Sequence, residues 1–394
     1  MAESTLTFEP GADPHGAAQS LRPMRFADGH LGWFTTDHST CKAIMADPRF
    51  GVHPLRPLAG DDGGFQVALS GPESVGDLLR IDPPDHTELR QKLTRYFTVR
   101  QVEQKRSGVE RIVNDRLSAM EEAGPPVDFV GMFALPVACL TLCELLGVPG
   151  TESENFERPS EVIADTFGTT LAEKQAAVEE FYEFAWSIIT EKRAHPGDDP
   201  LSDLITTGGL SDDQLKGTTL LLFAAGHHTT ATMFGASVFF LLSEPERWRK
   251  ACSDQSAIDP MVEELLRYLM TTNTMMPRTA REDVEIDGVL IKKGEAVAVV
   301  PGRPGGDLSA CPHLREYDPA HDTKAHLAFG HGRHMCLGQH LARLELQVGL
   351  AALMRRFPAL SLAEPAEQMA WFTPWGTDYN KEAQIAKDRL PVTW

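Results

Sequence analysis

A chain of 394 residues with 56 acidic against 37 basic side chains and a net charge of −19 is not built to hold nucleic acid, because phosphate binding needs clustered positive charge. Its 42% hydrophobic and 24% charged content is that of an ordinary globular protein long enough for a large core. With the polar, acidic opening MAESTLTFEP, and apolar runs no longer than LLLFAA at 220–225, neither a secretory signal nor the ~20 apolar residues that cross a bilayer are expected. A cytoplasmic protein, free of membrane, is expected.

The first sixty residues combine a strand-like LGWFTT with one amphipathic segment, HSTCKAIMADPRF. From 85 to 250 the pattern is mostly helical, with HTELRQKLTRYF and AAVEEFYEFAWSIITEKRAH placing apolar residues at helical spacing. Cys139 and Cys143 fall in the apolar helical run LPVACLTLCELLGVPG and read as buried free thiols, not as a metal pair. The six cysteines are too few and too scattered for a disulfide framework. Ser211 and Gln214 have capping-box spacing, and the helix they start can run to about Ser243, which is long for a globular protein. DPMVEELLRYLM is a further helix, and REDVEIDGVLIKKGEAVAVV is a hairpin turning at Asp287-Gly288. A last helix is expected from Leu337 to about Phe357, with Leu337, Leu341, Leu344 and Val348 on one face. No repeat or Gly/Ser linker divides residues 1–394, so one large, mainly α domain with a small β portion is expected.

Residues 329–338, FGHGRHMCLG, surround Cys336 with glycines, an arginine and imidazoles just before a helix. A cysteine that only fills a core does not need such neighbours. A thiolate on haem iron does. Soft sulfur suits iron, donors must hold its charge, and small residues must let a flat macrocycle approach. Gly330 and Gly332 permit a tight turn at positive φ, and Gly338 lets the start of the helix lie close to a ring. N–H groups of the first helical turn point toward the sulfur, and Arg333 and His334 are placed to meet propionates. A free cysteine in a glycine-rich turn is the alternative.

Phe329-Gly330-x-Gly332-x-His334-x-Cys336-x-Gly338, continuing as QHLARLE, resembles the haem-ligand signature of the cytochromes P450. The soluble bacterial, camphor-hydroxylase-like members are most similar. The resemblance spans nearly the whole chain and implies that family's triangular helical prism, with heme b between a long distal helix and the cysteine-led proximal helix. It implies Cys336 as the metal ligand, a donor of electron density that favours O–O cleavage. Glu264 and Arg267 in EELLR are i and i+3 on a helix and match the family's structural Glu-x-x-Arg pair, although a solvated surface pair is the ordinary source of that spacing. His86 and Arg90 in DPPDHTELRQ lie one helical turn apart and can face one anion. The resemblance assigns them, with Arg278 and His334, to the haem propionates.

In FAAGHHTTATM, Gly226 weakens a helix interior by about 1 kcal/mol, and Thr229 and Thr230 can bond back to carbonyls and bend it. Small residues packed against another helix would give the same pattern. The resemblance makes this stretch the dioxygen groove, with Leu222, Ala225 and Gly226 facing haem and Thr229 helping to deliver protons. Two departures qualify it: His228 stands where the family has Asp or Glu, and the Asn-Arg-Asp run is absent from 300–321. An imidazole can relay protons near neutrality, or it marks a rebuilt path.

The implied activity is monooxygenation of a small organic molecule, in bacterial specialised metabolism, with O2 and electrons from NAD(P)H. No GxGxxG fingerprint follows a strand, so a separate ferredoxin and ferredoxin reductase are expected, docking near Lys92, Arg95, Arg100, Arg106 and Arg333. Oxidative C–C or C–N coupling is one alternative. A non-catalytic recruitment module is another, but it has no need of Cys336 or Thr229. Pocket walls are expected from Leu222, from Thr272 and Met275, and from Trp371 and Phe372, with 58–80 as cap and 160–182 as lid. A monomer is expected.

Overall fold

Short strands open the chain and helices fill its middle. The computed structural model describes residues 7–8, 20–25, 30–52, 76–152, 154–164, 170–207, 209–269, 276–300, 316–321, 323, 326–366, 369 and 389–394. Strands β1 (Thr7–Phe8), β2 (Arg22–Arg25) and β3 (Leu31–Thr35) are antiparallel neighbours. Helix α1 (His38–Ala46) follows, capped by the Asp37 carboxylate accepting from the Thr40 N–H at 2.7 Å. After β4 (Phe50–Gly51) come α2 (Asp85–Thr94), α3 (Val99–Glu103) and α4 (Arg106–Ala123). Strand β5 (Val127–Asp128) leads through a π-helical turn at Val130–Ala134 into α5 (Leu135–Leu146), which Gly147 ends at φ 65°. Helices α6 (Glu154–Ala164), α7 (Leu171–Ala194) and α8 (Pro200–Thr207) precede α9 (Asp212–Leu242), a helix of 31 residues. Then follow α10 (Pro245–Ser253), α11 (Ile258–Leu269), β6 (Met276–Ala280), β7 (Val284–Ile286), β8 (Val289–Ile291) and β9 (Ala296–Val299). Helix α12 (Gln339–Arg356), β10 (Ser361–Leu362) and β11 (Pro391–Thr393) complete the order.

Distant parts of the sequence share one sheet, ordered β1-β2-β3-β9-β6-β4, in which β3 runs parallel to β9 with Trp33 opposite Val297. Strands β10, β11 and β5 form a second small sheet. The hairpin β7–β8 turns where the sequence predicts. Asp287 (φ 51°) and Gly288 (φ 78°) both take positive φ, as a two-residue primed turn requires.

The capping box at Ser211 and Gln214 is closed in both directions. Beyond it α9 is buried on nearly every side, the mark of a helix that forms a core instead of bordering one. It packs against α5, α7, α11 and α12. Gly349 of α12 meets the Phe234 ring of α9, where a Cβ would come within 2.6 Å of the ring, so the two helices approach at a point that only glycine allows. Phe133 presents its edge to the same ring at 5.6 Å. The opening expected near Gly226 is not a break, since α9 is continuous from 212 to 242. Instead the Thr229 hydroxyl adds a second donor to the Ala225 carbonyl at 2.6 Å. Cys139 and Cys143 are free and buried, and no helix among the described residues is long and apolar enough to cross a membrane. The architecture is mainly α with a small β portion.

Candidate functional site

Two glycines shape the turn ahead of α12. Gly330 (φ 71°) and Gly332 (φ 72°) lie in the left-handed region, and the Cys336 N–H closes the turn on the Phe329 carbonyl at 2.8 Å. A Cβ at Gly332 would fall 2.5 Å from the Met45 carbonyl, so the missing side chain also lets the turn press against α1. Arg333 donates to the Asp47 and Phe50 carbonyls at 2.9 and 3.4 Å. These bonds fasten the turn to the end of α1, a different task from the propionate contact the sequence suggests. The helix begins at Gln339 with Gly338 as its cap, two residues later than expected. A Cβ at Gly338 would meet nothing within 4 Å, so the backbone there borders open space.

The Cys336 thiol is exposed to water, yet desolvation by surrounding protein pushes its pKa up. Both statements hold for a sulfur on the floor of a concave slot. Working against desolvation are the Gly338 N–H, which donates to the sulfur, and the charges of Arg90 and Arg343. Arg90 stands beside the sulfur because its Nη2 donates to the Met335 carbonyl at 2.6 Å. One of its five N–H donors is thereby tied to the cysteine turn. The Arg343 guanidinium lies 4.4 Å over the Phe329 ring, which seats the first residue of the motif.

Close by, His86 and His334 bring their ring centroids to 4.2 Å. His86 is buried on α2. His334 donates from Nδ1 to the Leu78 carbonyl at 3.1 Å, since a carbonyl only accepts. The Nε2 atoms of both rings are buried with no partner among the described residues. Arg278, at 6% exposure on β6, is buried as well. Burial lowers its pKa to about 10 and that of His334 to about 3, the latter also through His86 and Arg278. His86 is lowered by burial, then by Arg90 and Arg333. An incoming carboxylate would raise the pKa of these rings and accept a proton bond from each unmet Nε2, so beside Arg278 they are a ready seat for carboxylates.

Along α9 most side chains from Thr218 to Val238 are buried, but Ala225 and Thr229, one turn apart, are exposed. An exposed pair in the middle of a buried helix marks a hollow. Leu222 is buried. A Cβ at Gly226, half-buried next to Ala225, would sit 2.8 Å from Leu142 of α5, so its missing side chain serves a helix–helix contact. His228 places Nε2 at 2.9 Å from Ser160 Oγ on α6, and His227 places Nδ1 at 3.3 Å from the same oxygen. Sequence reasoning missed Ser160 and His227. The only signal for them was the doubled histidine.

One buried and one half-buried ion-pair system hold the cysteine side together. Glu264 is 0% and Arg267 5% exposed, which removes the surface-pair reading. Arg267 donates to Glu264 from Nε at 2.6 Å and from Nη2 at 2.8 Å, and to the Glu316 carbonyl at 2.6 Å. The Asp318 N–H at 2.8 Å and His321 Nδ1 at 3.0 Å also reach Glu264. The second system was not legible in the sequence. His326 Nδ1 accepts from the Ala328 N–H at 3.2 Å, so its Nε2–H faces Glu263 at 3.1 Å, while Arg343 Nε donates to Glu263 at 2.5 Å. Burial would raise the Glu263 pKa, but bonds from His326 and Arg343 outweigh it and lower the pKa to about 2.

Thr272, Met275, Trp371 and Phe372, with residues 58–75 of the expected cap, lie outside the described residues. The expected lid, 160–182, comprises the end of α6 and the first half of α7, with 165–169 outside the described residues. Arg95 pairs with Asp203 at 2.6 Å and Arg106 with Glu103 at 2.5 Å, so two of the five basic residues expected at a docking patch are already neutralised. Among the described residues no group of three or more His, Cys, Asp or Glu side chains could hold a bare metal ion. A lone sulfur suits a metal that brings its own macrocycle.

Comparison with known proteins agrees with this geometry. The profile of the family "Cytochrome P450" matches residues 148–370. The chain is 35% identical over 397 residues to the nocardicin C N-oxygenase of Nocardia uniformis subsp. tsuyamanensis, spanning 99% of this chain and 96% of that protein. It is 36% identical over 361 residues to the 6-deoxyerythronolide B hydroxylase of Saccharopolyspora erythraea, spanning 89% of each. The crystal structure of CYP105P1 in complex with filipin I superposes with a TM-score of 0.86 at 34% identity, covering 96% of this chain and 93% of that one. From the fold, the thiol-bearing turn and a similarity that spans the chain, this protein belongs to the cytochrome P450 family.

Proposed function

We propose that the protein is a haem-thiolate monooxygenase that oxidises a small natural product of the bacterial specialised-metabolism kind, with O2 and with electrons passed from NAD(P)H through a ferredoxin and its reductase. The observation that carries this reading is the Cys336 thiol, open to water yet desolvated, with the Gly338 N–H aimed at its sulfur. Because α9 and α12 pack together, we take the hollow at Ala225 and Thr229 and the floor at Cys336 as opposite walls of one slot.

The residues present fit heme b. Cys336 would hold the iron as a thiolate, losing its proton on binding, with the Gly338 N–H, Arg90 and Arg343 favouring the anion. His86 and His334, each carrying a proton on its orphaned Nε2, would donate with Arg278 to the two propionates. When bound, iron protoporphyrin IX supplies the redox chemistry that reduces O2 with two electrons, placing one oxygen atom in substrate and the other in water. Ala225 keeps the wall of the slot low. The Thr229 hydroxyl, held by its bond to the Ala225 carbonyl, keeps a proton at that wall. His228 precedes Thr229 in the chain, at the position where the family has a carboxylic acid.

One named relative oxidises nitrogen and another hydroxylates; a substrate of natural-product size follows from both. The dithionite-reduced, CO-bound protein should show the red-shifted Soret band of thiolate ligation, and Cys336→Ser should lose it. A histidine-type band in the parent protein would sink the reading. NAD(P)H consumption should require both ferredoxin and reductase; turnover with NAD(P)H alone would refute the partner assignment.

A further inference from the structure

Ser160, 2% exposed on α6, has three neighbours around one oxygen. His228 Nε2 lies at 2.9 Å, the Glu157 carbonyl at 3.1 Å and His227 Nδ1 at 3.3 Å. A hydroxyl has one proton to donate and two lone pairs with which to accept. His227 is fully buried, and burial, then the charge of His228, lower its pKa to about 3, so the ring is neutral. Its Nε2 has no partner among the described residues. A stranded buried N–H is rarer than a stranded acceptor, which puts the His227 proton on Nδ1, donated to Ser160.

One lone pair and one proton then remain for His228 and Glu157. Neutral His228 accepts the Ser160 proton on Nε2 and carries its own proton on Nδ1. Protonated His228 instead donates from Nε2 to the second lone pair, and Ser160 turns its proton to the Glu157 carbonyl. The Ser160 hydroxyl is satisfied in both charge states with no heavy atom moved. The Glu157 carboxylate is engaged by the Cys139 thiol of α5, and no carboxylate among the described residues acts on His227.

We propose that Ser160, with buried His227 behind it, is a positioning residue that lets His228 hold or release a proton beside Thr229, an assignment that rests on the haem-thiolate reading above. The test is ring nitrogen-15 NMR of histidine-labelled holoenzyme in its reduced, CO-bound, diamagnetic form, with His228 assigned by its loss in His228→Gln. Neutral His228 should carry its proton on Nδ1 in the parent and in Ser160→Thr. In Ser160→Ala it should revert to the Nε2–H form that free imidazole prefers. During turnover Ser160→Ala should release about fivefold more hydrogen peroxide per NAD(P)H, the scale of one lost hydrogen bond, and Ser160→Thr should restore coupling. His227→Phe is a second variant, which should weaken the Nδ1–H preference without removing the hydroxyl. A His228 tautomer unchanged by Ser160→Ala and by His227→Phe, or coupling indifferent to Ser160→Ala, overturns the proposal. Loss of the thiolate Soret band in the parent would instead overturn the haem-thiolate reading, so the two failures are told apart.

Discussion

Replacing Arg267 with Met removes a guanidinium that makes two bonds to Glu264, at 2.6 and 2.8 Å, and one to the Glu316 carbonyl at 2.6 Å. The carboxylate is 0% exposed, so water cannot replace the lost donors. Deleting one partner of such a pair costs about 3–5 kcal/mol, because the other charge is left buried. Glu264 keeps the Asp318 N–H and His321, which argues for the lower end, about 3 kcal/mol or roughly a hundredfold in the folding equilibrium. Urea unfolding of the holoprotein, followed by far-ultraviolet circular dichroism and by the Soret band, measures it. Changing both residues, Glu264→Gln with Arg267→Met, should cost less than Arg267→Met alone, since a neutral amide is cheaper to bury than a carboxylate. A loss under about 1 kcal/mol for Arg267→Met, the size of an exposed pair, would refute the argument that the pair braces the segment 316–321 against α11.

Acid stability tests the second ion-pair system. The folded pKa of Glu263, about 2, lies below the ~4.3 of an unfolded glutamate. Its contribution is therefore complete above about pH 5 and is lost as the pH falls toward 2. Glu263→Gln should flatten the acid-unfolding curve in that window, and an unchanged curve would count against the pairing. Gly226→Ala should cost about 1–3 kcal/mol by overpacking α5 against α9, and should be nearly neutral once Leu142 is Ala. Equal cost in both backgrounds would show that Leu142 is not the neighbour that matters. Gly332→Ala should cost about 2 kcal/mol or more, from a left-handed φ and a clash with the Met45 carbonyl. A thermal melt that does not move would refute the close approach to α1.

Much of this protein was readable before any coordinates, and all of it was local. The capping box of α9, the turn at Asp287-Gly288 and the glycine pattern ahead of Cys336 each depend on residues a few positions apart. Their geometry follows from backbone preference and the reach of one side chain. Tertiary structure decided the rest. Whether Glu264 and Arg267 are solvated or buried depends on the segment 316–321 folding over them. Which face of α9 looks into the hollow could not be read from a helix that is apolar all round, nor that the absent side chain of Gly226 makes room for Leu142. Arg333 carries the right charge for a propionate, but it also bonds the Asp47 and Phe50 carbonyls, just past α1 and nearly three hundred residues earlier. Ser160 meets His227 and His228 across 67 and 68 positions, a separation over which sequence spacing carries no information about distance. Composition and short-range pattern specified the elements and the ligand turn; burial and orientation were left to the packing of helices far apart in the chain.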